Sequence, residues 1–194
     1  MSDVQLIEKM ISKKSSINSY KIRTGNLIEK DWEKIAYAIG ELSKLPLKIV
    51  PNAMTIQKIE QIIKKLKNKN EVDLVIIDYI QLIKNKGKFG TREQEVADIS
   101  RTLKLLTLEL NIPIIALCQL NRNATKSEPT LADLRESGSI EQDADNVLFL
   151  YQEQERETPI VDVTLKIAKQ RTGEIGKVFL KFNKAKSEFM GTVV

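Results

Sequence analysis

Polar side chains end two of the most apolar runs in the chain. Asp78 follows four consecutive apolar residues at positions 74–77, and Gln119 closes a second run that begins at Pro113. Short continuous runs rich in β-branched residues are typical of strands buried on both faces of a parallel sheet. Ligands bind at the carboxyl ends of the strands in open parallel sheets. These two side chains are therefore candidates for chemistry.

The residue types in the chain limit what that chemistry is. There is no histidine, and Cys118 is the one cysteine, which excludes a Ser-His-Asp triad, a histidine base and a zinc site built from His or several Cys. The remaining carboxylate, Lys, Arg, Gln, Ser and Thr side chains suit phosphoryl transfer, where positioning and electrostatics dominate. In that chemistry an aspartate at a strand end often holds Mg²⁺ or its bound water. Taken singly, Asp78 is equally well explained as a plain strand end, and Gln119 is better explained that way.

The patterns around these runs predict the elements that position them. Between the two runs, a capping box at residues 91–94 opens a long helix with apolar residues at helical spacing. Strand, helix and strand in that order favour an α/β fold with a mainly parallel sheet flanked by helices. Alternating strands at residues 161–169 and 177–182 flank a short glycine-containing segment, which predicts a C-terminal antiparallel hairpin. Three further helices are predicted: one begins at Ser2, one contains Trp32 and one begins at Thr55. A short strand is predicted over residues 47–50.

Bulk composition narrows the class of protein. A chain of 194 residues is expected to form a single domain over residues 1–194. Its net charge of +5, from 31 Lys and Arg against 26 Asp and Glu, is compatible with a nucleic-acid partner but does not require one. No apolar run approaches the ~20 residues that cross a bilayer, and the N-terminus shows no secretion-signal pattern. We therefore expect a cytoplasmic protein without a membrane partner.

The two strand ends are more informative as a pair than singly. A strand ending in Asp, then a helix, then a strand ending in Gln is the Walker B and sensor arrangement of RecA-like motors. In such a motor Asp78 would hold Mg²⁺ through water, and Gln119 would detect the γ-phosphate of ATP.

Several segments in chain order resemble the DnaB family of replicative DNA helicases. The most specific is DLRESGSIEQDAD at residues 133–145, similar almost residue for residue to the family's most distinctive motif. The others are DYIQL at 78–82, ALCQLNR at 116–122, AKQRTG at 168–173, RTG at 23–25 and DWE at 31–33. The resemblance covers essentially the whole chain. It implies the C-terminal RecA-like P-loop NTPase core of an ATP-dependent helicase, which unwinds duplex DNA by translocating on single-stranded DNA through a hexameric ring, with a helicase loader and primase as possible partners.

The resemblance also gives roles to five residues. Arg135, Glu136 and Gly138 match the channel loop that contacts single-stranded DNA; arginine pairs with phosphate, and glycine lets backbone N–H groups approach the strand. Without the resemblance, this segment would be an ordinary charged turn. Lys169 and Arg171 match the finger that reaches the γ-phosphate of a neighbouring subunit's ATP, which implies a homo-hexamer. Two residues apart on a strand, they project from one face; exposed cations on an edge strand are the alternative.

One part of the family's pattern is missing. The sequence contains no G-x-x-x-x-G-K-[ST] loop, which in the family cradles the phosphates of ATP. We expect a truncated or split motor domain, without the Walker A strand and loop, whose sheet has a gap or an exposed hydrophobic edge. Two functions stay open: part of an ATP-driven helicase that is inactive as an isolated chain, or a non-catalytic DNA-binding or oligomerisation module. A RecA-type recombinase fits the fold but not residues 133–145.

Overall fold

The computed structural model describes residues 2–51, 54–120, 128–153 and 158–191, except for the side chains of residues 135–137. Its helices and strands follow in chain order. They are α1 (Asp3–Ser15), α2 (Ser19–Thr24), α3 (Glu29–Leu42), α4 (Ile56–Asn68), β1 (Val75–Ile77), a 3₁₀ helix (Ile80–Leu82), α5 (Arg92–Leu110), β2 (Ile114–Ala116), a 3₁₀ helix (Leu131–Ser137), α6 (Gly138–Asp143), β3 (Asn146–Tyr151), β4 (Ile160–Gln170), β5 (Gly176–Asn183) and β6 (Glu188–Gly191).

The chain divides into two compact units. One comprises Met1–Pro51, Leu150–Leu165 and Lys177–Val194, and the other comprises Asn52–Phe149 and Lys166–Gly176. Every site residue named from the sequence belongs to the second unit. The single domain over residues 1–194 stays a prediction.

Helix starts follow the capping signals in the sequence. Ser2 and Gln5 form the predicted capping box, in which the Ser2 hydroxyl accepts from the Gln5 N–H (3.2 Å) and the Gln5 side chain accepts from the Ser2 N–H (3.1 Å). Thr55 caps α4 through the Lys58 N–H. Thr91 accepts from the Gln94 N–H, but the Gln94 side chain accepts from the N–H of Gly90 instead of Thr91. The second capping box is therefore only half formed.

The strand predicted over residues 47–50 is wrong. The segment carries no strand, because a strand exists only where a neighbour supplies hydrogen bonds, and none pairs with it among the described residues. Conversely, β6 was not predicted. It pairs antiparallel with β5, placing Phe182 opposite Phe189 with ring centroids 4.6 Å apart. The later strands form one sheet in the order β3, β4, β5, β6, so the two strands of the predicted hairpin are neighbours.

Strands β1 and β2 are parallel, as predicted, with Val75 opposite Ile114 and Ile77 opposite Ala116. One face of the pair packs on the helices that flank it. The buried residues of this cluster come from α4, β1, the following 3₁₀ helix and α5, and are Ile56, Ile77, Ile80, Ile83, Ile99 and Leu103.

The other face of this pair is uncovered in the described chain. Leu74, Ile76, Ile115 and Leu117 are each between 45% and 61% exposed. The prediction that both strands are buried on both faces is therefore wrong here, whereas the expected gap or exposed hydrophobic edge of the sheet stays a prediction. Parallel sheets are normally covered on both faces, so a row of apolar side chains of this kind marks a surface that normally packs against something.

Candidate functional site

The carboxyl ends of β1 and β2 lie side by side. Their pairing continues past both strands, because the Leu117 N–H donates to the Ile77 carbonyl and the Ile80 N–H donates to the Leu117 carbonyl, each at 2.9 Å. Asp78 is exposed at this edge, and its carboxylate makes no hydrogen bond or ion pair with the described residues. The peptide between Asp78 and Tyr79 is cis. The predicted strand-end position of Asp78 is thus observed, with both carboxylate oxygens available.

The prediction that Gln119 ends its strand is wrong, because β2 ends at Ala116. Gln119 lies beyond that end, where Gln81 fixes its backbone. The Gln81 amide nitrogen donates to the Gln119 carbonyl at 3.1 Å and approaches the Cys118 sulfur at 3.0 Å. The Gln81 amide oxygen accepts from the Gln119 N–H at 3.3 Å. One side chain therefore pairs with Gln119 as a neighbouring strand would, and leaves the exposed Gln119 side chain unconstrained by it.

Arg92, the first residue of α5, holds the segment that carries Gln81. One guanidinium nitrogen donates to the Gln81 carbonyl at 2.8 Å and to the Ile83 carbonyl at 2.9 Å, and the other pairs with Glu95. The pKa of Glu95 is lowered first by the Asn85 N–H, which donates to it, and then by Arg92. Sequence reasoning gave no site role to Gln81, although this residue lies within the quoted DYIQL segment.

Lys169 lies in β4 and Arg171 directly follows the end of this strand at Gln170, so the prediction that both project from one strand is wrong; both side chains nevertheless reach the same end of α6. The Lys169 ammonium donates to the Glu141 carbonyl at 2.6 Å, and the Arg171 guanidinium donates to the Gln142 carbonyl at 3.4 Å. Both carbonyls belong to the last turn of α6. Cations at a helix C-terminus satisfy carbonyls that have no partner in the helix and oppose the negative end of its dipole.

Asp145 forms ion pairs with two cations near the C-terminal end of α6. It accepts from the Lys104 ammonium with both oxygens, at 2.7 and 2.6 Å, and pairs with Arg171 at 3.1 Å. The Lys104 hydrogen bond is the largest cause of a lowered Asp145 pKa; burial opposes it, and the charges of Lys104, Arg171 and Lys169 add to it. Three cations thus surround one carboxylate. Lys104 and Asp145 are 41 positions apart in the sequence, which is why their pairing was missed, although Asp145 ends the quoted 133–145 segment.

The segment expected to contact DNA is described only in part. Arg135 and Glu136 lie in the 3₁₀ helix Leu131–Ser137, anchored by buried Leu134, but their side chains lie outside the described structure. Gly138 follows as the exposed first residue of α6, and a Cβ added to it would meet no atom within 4 Å. Nothing in the described chain requires glycine there, so any steric need for it would come from a bound ligand.

The described residues contain no group of three or more His, Cys, Asp or Glu side chains that could hold a metal ion. Asp78 alone still fits Mg²⁺, which usually keeps several waters and is bound through one or two carboxylates together with substrate phosphates. No helix in the described ranges is long and apolar enough to cross a membrane.

Comparison with known proteins decides the family. Residues 1–191 match the family model for the DnaB-like helicase C-terminal domain. The chain belongs to this family. It is 40% identical to the replicative DNA helicase DnaC of Bacillus subtilis over 200 residues, covering 98% of this chain and 44% of that protein. It is 42% identical to a probable replicative DNA helicase of Trieres chinensis over 207 residues, covering 100% of the chain and 45% of that protein. The DnaB-family chain thus spans less than half the length of these curated relatives.

Solved structures agree with this family assignment. The ATPase domain of G40P matches with a TM-score of 0.90 and 34% identity, over 100% of this chain and 72% of that domain. A DnaB-like replicative helicase, reported with its interactions with primase, matches with the same TM-score and identity over 50% of its length. The predicted RecA-like α/β fold class and the DnaB-family resemblance are confirmed.

The ion pair at Asp145 predicts a pH-dependent contribution to stability. Because the folded-state pKa lies below the ordinary value of 3.8, the contribution is complete above that value and is lost as pH falls through the folded-state pKa. Asp145→Asn should lower the free energy of unfolding at neutral pH by no more than about 1 kcal/mol, since the carboxylate is partly exposed. In urea unfolding curves, this difference should shrink as the pH is lowered below ~4. Lys104→Gln should show the same pH dependence, and a difference independent of pH would contradict the assignment.

The Gln81 contact predicts a local effect on backbone protection. Gln81→Leu removes both hydrogen bonds to the Gln119 backbone at nearly constant side-chain size. Hydrogen exchange followed by NMR should show faster exchange at the Gln119 amide, because exchange requires an unpaired N–H. The Leu117 amide, bonded to the Ile77 carbonyl, is the internal control and should keep its rate. Unchanged exchange at Gln119 would show that Gln81 does not fix this backbone.

Proposed function

We propose that this chain provides the sensing, finger and DNA-contacting parts of an ATP-dependent replicative helicase motor. The observation that carries the proposal is that the Gln81 side chain ties the segment after β1 to the segment after β2, so that Asp78 and Gln119 stand at one sheet edge. In open α/β sheets, ligands bind outside the carboxyl ends of the strands, and this edge is where we propose that the nucleotide binds.

ATP with Mg²⁺ is the cofactor proposed for this edge. Asp78 would hold Mg²⁺ through a water molecule, because its carboxylate is exposed and unpaired in the described chain. Gln119 would donate from its side-chain amide to an oxygen of the γ-phosphate, while Gln81 keeps the Gln119 backbone in place. Mg²⁺ supplies charge neutralisation between phosphate oxygens when bound.

Lys169 and Arg171 are proposed to act on the γ-phosphate of ATP bound by a neighbouring subunit. The Arg171 side chain is about half exposed (51%) and makes a single-contact ion pair with Asp145, so it keeps donors for a phosphate. A finger of this kind serves a neighbour rather than its own subunit, which fits a homo-hexameric ring.

Single-stranded DNA is the proposed polymer partner, contacted by Arg135, Glu136 and Gly138. Arg135 would pair with a phosphate, and Glu136 would orient Arg135 or accept from backbone. The exposed backbone at Gly138 lets a sugar-phosphate strand approach closely. A primase is a further proposed partner, because a structural relative at 34% identity is described with one, and a helicase loader is proposed from the family. Cytoplasmic location belongs to the same proposal.

The second candidate is a non-catalytic DNA-binding or oligomerisation module. It is favoured for this polypeptide in isolation, because these 194 residues contain no G-x-x-x-x-G-K-[ST] loop. An ATPase measurement distinguishes the two candidates: the first expects this chain to support ATP turnover once such a loop is supplied, and the second does not.

The isolated chain is expected to release no phosphate from ATP above background, with or without DNA. A chimaera in which this chain replaces the matched 200 residues of the Bacillus subtilis relative should hydrolyse ATP. In it, Arg171→Ala should lower kcat by about 10³-fold or more, and Asp78→Ala should abolish turnover. Asp73→Ala, an exposed aspartate before β1, is the control and should be neutral. An inactive but hexameric chimaera would favour the second candidate, and so would turnover that is indifferent to Asp78.

The isolated chain should bind fluorescein-labelled oligo-dT at low salt, measured by anisotropy. Arg135→Ala should weaken binding and reduce the slope of log affinity against log salt by about 0.7, because one phosphate contact is lost. Arg101→Ala, an exposed arginine of α5, is the matched control with the same change of charge. Equal effects of the two variants would show that the 135–138 segment has no special role in DNA binding.

A further inference from the structure

Helix α6 is anchored at its C-terminal end by side chains from outside it. The helix is 6 residues long, too short to be stable by itself in water. Its carbonyls at Glu141 and Gln142 accept from Lys169 and Arg171, and Ile140 packs against the core cluster beside β1. The position of α6 therefore depends on these contacts and not on its own hydrogen bonds.

One of the two anchoring cations, Arg171, is itself held by a carboxylate. Asp145 pairs with the Arg171 guanidinium, and its backbone carbonyl accepts from the Arg171 N–H at 3.1 Å. Lys104 then fixes the Asp145 side chain with a hydrogen bond to each oxygen. Lys104 belongs to α5, a helix of 19 residues with Leu103 and Leu106 buried. A continuous series of contacts thus runs from a long, well-packed helix to the end of α6.

The opposite end of α6 is the segment proposed to contact DNA. Gly138 is the first residue of α6, and Arg135 and Glu136 lie in the 3₁₀ helix that ends at Ser137, immediately before it. A displacement of a helix of this length moves both of its ends. The geometry at the C-terminal end therefore sets where the DNA-contacting segment stands.

We propose that Lys104 and Asp145 are positioning residues for single-stranded DNA binding. Asp145, fixed by Lys104, holds Arg171 at the Gln142 carbonyl of α6, and α6 in turn fixes the Arg135-to-Gly138 segment. This inference rests on the proposed function, since it requires that segment to contact DNA. In addition, the two cations proposed as the finger contact α6 of their own subunit. The side-chain donors proposed to bind the γ-phosphate are therefore the ones that anchor α6.

Neutralising Asp145 separates positioning from simple electrostatics by the sign of its effect. DNA is a polyanion, so removal of a carboxylate strengthens binding if only charge matters. Removal of a positioning carboxylate weakens binding, because the Arg135-to-Gly138 segment is no longer held in the geometry that contacts DNA. Asp145 itself is not expected to touch a phosphate. The slope of log affinity against log salt should then stay as in the wild type, since no phosphate contact is lost.

The experiment measures binding of labelled oligo-dT to the full chain across a salt series. Asp145→Asn and Lys104→Gln should each weaken binding by about 3- to 30-fold, within the range of coupling through packed networks. The slope should be unchanged for Asp145→Asn, and Lys104→Arg should restore most of the affinity lost in Lys104→Gln. Asp73→Asn and Lys64→Gln are matched controls; Lys64 is ion-paired with Glu60 and Glu109 elsewhere in the fold. Cooperative unfolding of each variant, followed by circular dichroism, verifies that it is folded.

Tighter or unchanged binding by Asp145→Asn overturns the inference, as does failure of Lys104→Arg to restore affinity. In those cases Arg135→Ala would still weaken binding, so the proposed DNA contact would stand without its positioning residues. If the wild-type chain does not bind oligo-dT, or Arg135→Ala is neutral, the DNA-contacting role falls first and the inference falls with it.

Discussion

Burial of one face of the β1–β2 pair fixes the geometry on which the candidate site depends. Each strand has only 3 residues, so their mutual hydrogen bonds are too few to set the register alone. Ile77 is buried in the cluster with Ile56 and Ile99, and Ile114 packs against the same cluster. Side chains alternate between the faces of a strand, so a slip of one residue would turn Ile77 towards solvent. That penalty holds the pair in register, and the register determines that Asp78 and Gln119 leave the sheet at the same edge.

Beyond the ends of the strands, side chains form the hydrogen bonds to the backbone that a neighbouring strand would otherwise form. Backbone groups that leave a sheet need new partners. The Gln81 amide supplies a donor and an acceptor to Gln119, and the Arg92 guanidinium accounts for two carbonyls of the segment that carries Gln81. Planar groups with fixed donor geometry suit this purpose, because they lose little freedom for each hydrogen bond they form. Residues after β1 are thereby held without a strand of their own, and the side chains of Asp78 and Gln119 stay available.

The sequence predicts local features well and distant pairings poorly, for physical reasons. Capping of α1 by Ser2 and of α4 by Thr55 depends on neighbours three residues away, so it can be recognised in a short window. The placement of Lys169 and Arg171 does not follow from the two-residue period of a strand, because β4 ends at Gln170. The segment at 47–50 has the composition of a strand but no partner, and pairing is not encoded locally.

Pairings between remote segments could not be derived from the sequence. Lys104 is one of many lysines, and nothing nearby distinguishes it from those on solvated helix faces. Gln81 lies in a segment recognised by resemblance, yet its contact with Gln119 joins residues 38 positions apart. The roles of Arg135, Glu136 and Gly138, and of the proposed finger, come from the resemblance and not from spacing. They stay predictions, which physical patterns alone would have read as a charged turn and exposed cations.

The contacts of Lys169 and Arg171 suggest how one motor could couple two ligands. A lysine ammonium has three donors and an arginine guanidinium five, so a phosphate can be bound without breaking every bond to α6. A carbonyl carries only a partial charge, whereas the γ-phosphate of ATP is fully anionic, so a cation gains the attraction of a full opposite charge together with the hydrogen bond. A phosphate would therefore draw the cations away from Glu141 and Gln142. Asp145, held by Lys104, would keep Arg171 within reach of both positions. Under the proposed roles, release of α6 at one end would loosen the proposed DNA-contacting segment at the other. ATP hydrolysis in a neighbouring subunit would then weaken the binding of DNA by this one.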